Sequence, residues 1–168
     1  MPDTELSIAR ELNRLLRRRG LTVAVAEGST GGRIGERLVR YAGATAYFKG
    51  AVVTYDYPSR TRLLGIPEAM LLVHGSVSEH VVRAMAESVR ERFDADIGLA
   101  ETGVAGPSGQ GVGTVWTAVA TGEATVARKH RLPRAPRQAL HAGFTLLALL
   151  LLREAVRSYP ALDSAELR

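Results

Sequence analysis

The chain has 168 residues, 46% hydrophobic and 23% charged, with 22 basic side chains against 17 acidic ones and a formal net charge of +5. That length fits one domain rather than two and can bury roughly 70% of the surface the unfolded chain exposes. There is no cysteine, which excludes disulfides, thiolate nucleophiles and thiolate metal sites, and the four histidines (His74, His80, His130, His141) lack ligand-like spacing, so no metal is expected.

A helix is expected over residues 4–19, where Leu6, Ala9, Leu12, Leu15 and Leu16 share one face and Gly20 stops it. Its last turn carries Arg17, Arg18 and Arg19, which complement the helix dipole. Leu21 to Ala26 reads as a short apolar strand. Thr30 to Tyr41 reads as a helix with Ile34, Leu38 and Val39 inward, and Lys49 to Thr54 as a second strand. Pro67 starts a helix covering Met70, Leu71 and Leu72, and His74-Gly75 ends it. Ser76-Val77-Ser78-Glu79 has capping-box spacing ahead of a long helix to Phe93. Ala95 to Glu101 is a third strand, and a glycine-rich loop runs from Gly103 to Gly113. Thr114 to Thr121 and Ala124 to Arg131 form a hairpin around Gly122-Glu123. Pro133 and Pro136 precede a final helix to about Tyr159, and the last eight residues read as a loose tail. Strands alternating with helices and then a hairpin predict one domain over residues 1–160, a three-layer α/β/α sandwich with a mixed β-sheet.

Met1 to Glu5 is polar and acidic, unlike a signal peptide. The longest apolar run, Ala142 to Leu152, is shorter than the about 20 residues of a bilayer span. A cytoplasmic location is the expectation, without a membrane partner. The final helix is apolar nearly all round and wants burial on more than one side, either as a core helix or in a homo-oligomer, most simply a dimer. The pI of about 10.1 permits a nucleic-acid partner, but the arginine cluster lacks the interleaved aromatics that single-strand binding uses, so this reading ranks last.

Three segments carry candidate chemistry. Glu27-Gly28-Ser29-Thr30-Gly31-Gly32 joins a strand to a helix: its backbone N–H groups and the Ser29 and Thr30 hydroxyls either cradle an anion or simply cap the helix. It lacks the Gly-Lys-Ser/Thr ending of a Walker loop. The second segment, Glu101 to Gly113, includes Thr102, Gly103 and Gly106; it is no dinucleotide fingerprint, because a strand rather than a helix follows. Both leave the C-terminal ends of strands, where open α/β sheets bind ligands. The third runs through Gly43-Ala44-Thr45-Ala46-Tyr47-Phe48 and Val53 to Arg60, with Tyr55, Asp56 and Arg60 as polar candidates.

Taken together, these segments resemble the C-terminal, nicotinamide-nucleotide-amidase domain of the CinA family. Glu27–Gly32 resembles its Glu-Ser-Cys-Thr-Gly-Gly, Gly43–Phe48 its Gly-Ser-Ser-Ala-aromatic-Phe, and Val52-Val53-Thr54-Tyr55 its Val-Val-Thr-Tyr. Leu64-Gly65-Ile66, His74 to Glu79, Thr102 to Pro107 and Val112 to Trp116 also fit in order. The resemblance implies an α/β/α fold and hydrolysis of the carboxamide of nicotinamide mononucleotide to nicotinic acid mononucleotide and ammonia. It implies a serine nucleophile with a lysine base, and neither metal nor cofactor. It also implies a small-molecule mononucleotide as partner, bound by Glu27, Gly28, Ser29, Thr30, Gly31, Gly32, Thr102, Gly103 and Gly106, with Thr45, Tyr55 and Arg60 at the catalytic positions.

The departures fall on those catalytic positions. The family's nucleophilic serine falls on Thr45, its lysine on Arg60 and the serine of Glu-Ser-Cys on Gly28. The family's Gly-Asp-Arg arginine has no clear counterpart in Pro133-Arg134-Ala135-Pro136-Arg137. An arginine keeps its proton at neutral pH and cannot serve as the base. The expectation is therefore a mononucleotide-binding protein with hydrolysis weak or lost. The alternatives are an active amidase with an altered pair and, more remotely, a nucleic-acid-binding module.

Overall fold

The computed structural model describes residues 3–160, so the tail expected from Ala161 lies outside the described residues. Helix α1 (Glu5–Arg19) is set by its ends: Thr4 and Ser7 form a capping box, and Gly20 closes the helix at φ 64°. Strand β1 (Val23–Glu27) follows, then α2 (Arg33–Val39), a 3₁₀ turn (Ala44–Ala46), β2 (Phe48–Val53) and three helices: α3 (Tyr57–Leu64), α4 (Glu68–His74) and α5 (Glu79–Arg92). Strands β3 (Ile97–Gly103), β4 (Thr114–Ala120) and β5 (Thr125–Arg131) lead into α6 (Arg137–Ser158).

The five strands lie in the order β2-β1-β3-β4-β5, with β2, β1 and β3 parallel and the β4–β5 hairpin antiparallel on β3. Alternation along β1 divides the core between two layers. Val23 and Val25 pack with Ile8, Leu12 and Leu16 of α1, Ile34 and Leu38 of α2 and Ala148, Leu149 and Leu152 of α6. Ala24 and Ala26 face the other way, with Val82, Met85, Ala86 and Val89 of α5. The mixed sheet between two helical layers is the architecture expected from the sequence.

Several boundaries move for local reasons. Gly31 and Gly32 adopt φ 63° and 99°, so α2 begins at Arg33 rather than Thr30. The cap of α5 is Ser78, whose side chain accepts from the Val81 N–H, not Ser76. Helix α3 has no counterpart in the sequence reading, although Asp56 accepts from Ser59 N–H at 2.8 Å and Pro58 sits in its first turn.

Helix α6, 22 residues long, is by length and composition apolar enough to cross a membrane, which the shorter run from Ala142 to Leu152 did not suggest. In this fold Leu140, Phe144, Ala148, Leu149, Leu152 and Val156 are buried, and most of them pack with α1 and the sheet. Leu146, Leu147 and Leu150 on the same helix are only partly buried.

Candidate functional site

The register of the parallel strands assembles the site. Glu27 at the end of β1 pairs with Val53 of β2 on one side and Glu101 of β3 on the other. The β1–α2 loop, the start of α3 and the end of β3 therefore meet at the C-terminal edge of the sheet. A cavity of about 190 Å³ opens there, lined among others by Gly28, Ser29, Tyr55, Arg60, Gly103 and Arg137.

Arg60 is 3% exposed, and its guanidinium is tied down on three sides. Nε donates to the Thr54 carbonyl at 3.2 Å, Nη1 to the Ser76 carbonyl at 2.6 Å and Nη2 to Thr102 Oγ1 at 3.0 Å. Burial pulls its pKa below the ordinary guanidinium value, opposed by the charge of Glu101, yet a guanidinium stays protonated at neutral pH. Gly28 accommodates it: a Cβ there would lie 2.9 Å from Arg60 Nη2 and 3.1 Å from the Glu101 carbonyl. Arg137 closes the other side, donating to the Gly106 carbonyl at 2.5 Å and to the Tyr55 hydroxyl at 2.8 Å.

Beneath the cavity lie two carboxyl groups with no exposure, Glu27 and Glu101. Glu27 accepts from Thr30 Oγ1 at 2.7 Å and from the N–H groups of Gly32, Ile34 and Gly35 at 2.9, 3.1 and 2.8 Å. The first turn of α2 thus holds the chain's own carboxylate instead of a ligand phosphate. Glu101 Oε2 accepts from Thr30 N–H at 3.1 Å and Gly28 N–H at 3.3 Å and lies 2.9 Å from Thr30 Oγ1, whose single proton it shares with Glu27, and Oε1 takes the Ser29 hydroxyl. Burial pushes the Glu101 carboxyl up; bonds from Ser29 and Thr30 act against this, and the charge of Glu27 reinforces it.

That shift has a sign. A folded-state pKa above the unfolded value of about 4.3 stabilises the fold at low pH, and the contribution fades as pH rises through the folded value. The stability of the parent relative to Glu101→Gln should therefore be greater at about pH 4 than at about pH 8. Thermal melts at the two pH values check this; an equal difference at both would contradict it.

The structure brings together only part of the set implied by the resemblance. Gly28, Ser29, Tyr55, Arg60 and Gly103 line the cavity. Thr102, 1% exposed, braces Arg60, and Gly106 supplies the carbonyl for Arg137. Glu27, Thr30 and Gly32 form the network beneath, and Gly31 provides the turn. Thr45 is not part of the cluster. It is exposed on the 3₁₀ turn before β2. The first residue of β2, Phe48, pairs with Val23, whereas its last, Val53, pairs with Glu27. The length of β2, about 16 Å at about 3.3 Å per residue, separates Thr45 from the cavity end. The expected Thr45–Arg60 pair is therefore corrected: the position beside Arg60 is Gly28.

Sequence reasoning missed Ser76 and Arg137 as site residues. Ser76 contributes through its main-chain carbonyl, which no residue type announces. Arg137 had a local signal in its place just after Pro136, at the first position of α6. A larger hollow, about 650 Å³, lies by β5 and α6, but its charges pair among themselves, Arg128 with Glu154 and Arg153 with Asp3.

Comparison with known proteins agrees with the fold. The model of the CinA C-terminal domain matches residues 5–156. A CinA-like protein of Gemmatimonas aurantiaca is 51% identical over 105 residues, 60% of this chain and 24% of that protein. One from Shewanella halifaxensis is 38% identical over 155 residues, 90% of this chain and 37% of that protein. The chain thus spans well under half the length of these relatives. Among solved structures, the competence damage-inducible protein A of Klebsiella pneumoniae superposes with a TM-score of 0.90 at 28% identity, covering 94% of this chain and 100% of that one. The competence/damage inducible protein of Agrobacterium tumefaciens gives 0.88 at 28% identity, covering 94% and 98%. The chain belongs to the CinA C-terminal domain family.

Proposed function

We propose that the protein binds a pyridine mononucleotide or a similar phosphorylated small molecule at the cavity between β1, β3 and α3, and that amide hydrolysis there is weak or lost. The observation that carries this reading is the buried Arg60. It supplies a fixed positive charge, and after its three bonds one N–H on each of Nη1 and Nη2 has no protein partner among the described residues. Such a fork suits an oxyanion or a carboxamide oxygen, and it cannot take up a proton as a base does. Arg137 adds a second guanidinium on the same cavity. At about 190 Å³ the cavity is smaller than the roughly 300–1,000 Å³ of small-molecule pockets. It takes one end of a mononucleotide, and the remainder lies against Tyr55, which is 66% exposed. On this reading the protein works in the cytoplasm without metal or cofactor.

Calorimetry with nicotinamide mononucleotide and nicotinic acid mononucleotide tests binding, and ammonia release from the former tests hydrolysis. Binding heat is expected, with turnover below the ~1 per second at the low end of enzyme rates. No heat at ligand concentrations of about 1 mM would sink the binding reading. Turnover within the usual range would replace it with that of an active amidase.

A further inference from the structure

We propose that Ser29 and Glu101 form a nucleophile–base pair in this cavity, and that such amide hydrolysis as the site retains runs through them. The inference rests on the reading of the cavity as a site for an amide-bearing nucleotide. Four hydroxyls stand at or beside the cavity, and that of Ser76 has no carboxylate partner among the described residues. That of Thr102 donates to the Ser76 carbonyl at 2.8 Å and accepts from Arg60. That of Tyr55 accepts from Arg137. The Ser29 hydroxyl meets a carboxyl oxygen, Glu101 Oε1, and Ser29 lines the cavity.

The two oxygens of Glu101 have different surroundings. Oε2 takes the Gly28 and Thr30 N–H groups, which hold negative charge on that side, while the single proton of the Thr30 hydroxyl goes to the nearer Glu27. Oε1 is left facing Ser29, placed to receive its proton. The charged groups nearest Glu101 are Glu27 from β1, joined to it through Thr30, and Arg60 from α3. Because Glu101 is buried against Glu27, it holds a proton more readily than a solvated carboxylate and is the better base for it.

The chemistry balances. Ser29 Oγ bonds to the carboxamide carbon as its proton passes to Glu101 Oε1. Arg60, with its free N–H groups, and Arg137 line the same cavity and supply positive charge for the oxygen that becomes negative. The C–N bond then breaks, and Glu101 returns the proton to the departing nitrogen, releasing ammonia. A water molecule attacks the acyl-serine, gives its proton to Glu101 and frees the carboxylate, and Ser29 recovers its proton. The same pair thus serves as base and then acid in each half of the reaction.

The test uses the full chain and a small phosphonofluoridate, a serine-directed probe that needs no nucleotide. Intact mass should show one adduct, and peptide mapping should place it on Ser29. Ser29→Ala should remove the adduct and the ammonia release. Glu101→Gln should slow labelling by about 10²–10⁴-fold, while calorimetric binding of nicotinamide mononucleotide persists in both variants. The parent rate should rise with pH over a range above that of ordinary carboxylates. A parent that takes no adduct, or takes it on Thr45 or elsewhere, overturns the pair whether or not the variants fold. So does undiminished ammonia release from Ser29→Ala. Labelling at Ser29 without nucleotide binding would keep the pair and defeat the mononucleotide reading instead.

Discussion

Gly28→Ser should destabilise the protein, Arg60→Lys should do so too, and the double variant should be more stable than the sum of the two predicts and release ammonia faster than the parent. The serine Cβ would lie 2.9 Å from Arg60 Nη2 and 3.1 Å from the Glu101 carbonyl, so the single change drives the guanidinium from its seat. That breaks a buried charge away from the Thr54 and Ser76 carbonyls and Thr102 Oγ1, a loss on the order of 3–5 kcal/mol. Lysine alone lacks the fork and leaves carbonyls unpaired, at about 1–3 kcal/mol. In the double variant the shorter ammonium side chain vacates the space of Nη2, and the serine fills it. A favourable coupling of about 0.5–3 kcal/mol is expected between side chains in contact. A buried lysine is able to give up its proton and activate the new serine, worth about 10²–10⁴ in rate. Denaturant melts of the four proteins give the coupling, and ammonia release from nicotinamide mononucleotide gives the rate. Additive stabilities together with a parental rate would show that Gly28 and Arg60 are not the exchanged pair. Thr45→Ser should leave both readouts unchanged, because β2 separates it from the cavity.

Gly98→Ala should be the most damaging single methyl in the chain's core. The face of the sheet under α5 is built from Ala24, Ala26, Ala100, Ala118 and Ala120, and Gly98 lies where the helix comes closest. A Cβ at Gly98 would stand 2.0 Å from the Ala86 carbonyl oxygen, 2.7 Å from Arg90 Cβ and 3.0 Å from the Arg90 nitrogen. Two of these neighbours are helix backbone, so no side chain can swing aside; α5 must move as a unit, and the packing of its Val81, Val82, Met85 and Val89 against the sheet loosens together. Overpacking costs typically about 1–3 kcal/mol, and a rigid backbone neighbour puts this case at or above the upper end. For a domain of this size about 3 kcal/mol corresponds to a melting point lower by roughly 6–12 °C. Gly122→Ala is the control: nothing lies within 4 Å of a Cβ there, and its melting point should hardly move. A Gly98→Ala melting point within a degree or two of the control would mean that α5 does not press on this strand as described.

The sequence by itself determined the layers, because those depend on short-range pattern. The faces of α1 and α5, the apolar β1 and the hairpin around Gly122-Glu123 are periodicities and turn residues that any partner would have to respect. The ordered motifs likewise identified the family and placed Arg60 where a base would be needed. Helix α3 was hidden because its apolar pattern is weak and only Leu64 among its hydrophobic residues is buried, so Asp56 and Pro58 were its sole local signals. What only the tertiary structure decided is which residues meet. Thr45 and Arg60 are 15 positions apart, and in sequence nothing distinguishes that pair from Gly28 and Arg60. The register of β2 on β1 sends Thr45 to one end of the sheet and folds α3 back over Gly28 at the other. The same register sets Glu101 beside Glu27, and the glycines at 31 and 32 turn the α2 N–H groups onto Glu27. A helix N-terminus that in sequence fitted a ligand phosphate is thereby filled from within the chain. The neighbour that satisfies those N–H groups is the carboxylate five to eight residues before them, and strand pairing, not residue type, fixes its position.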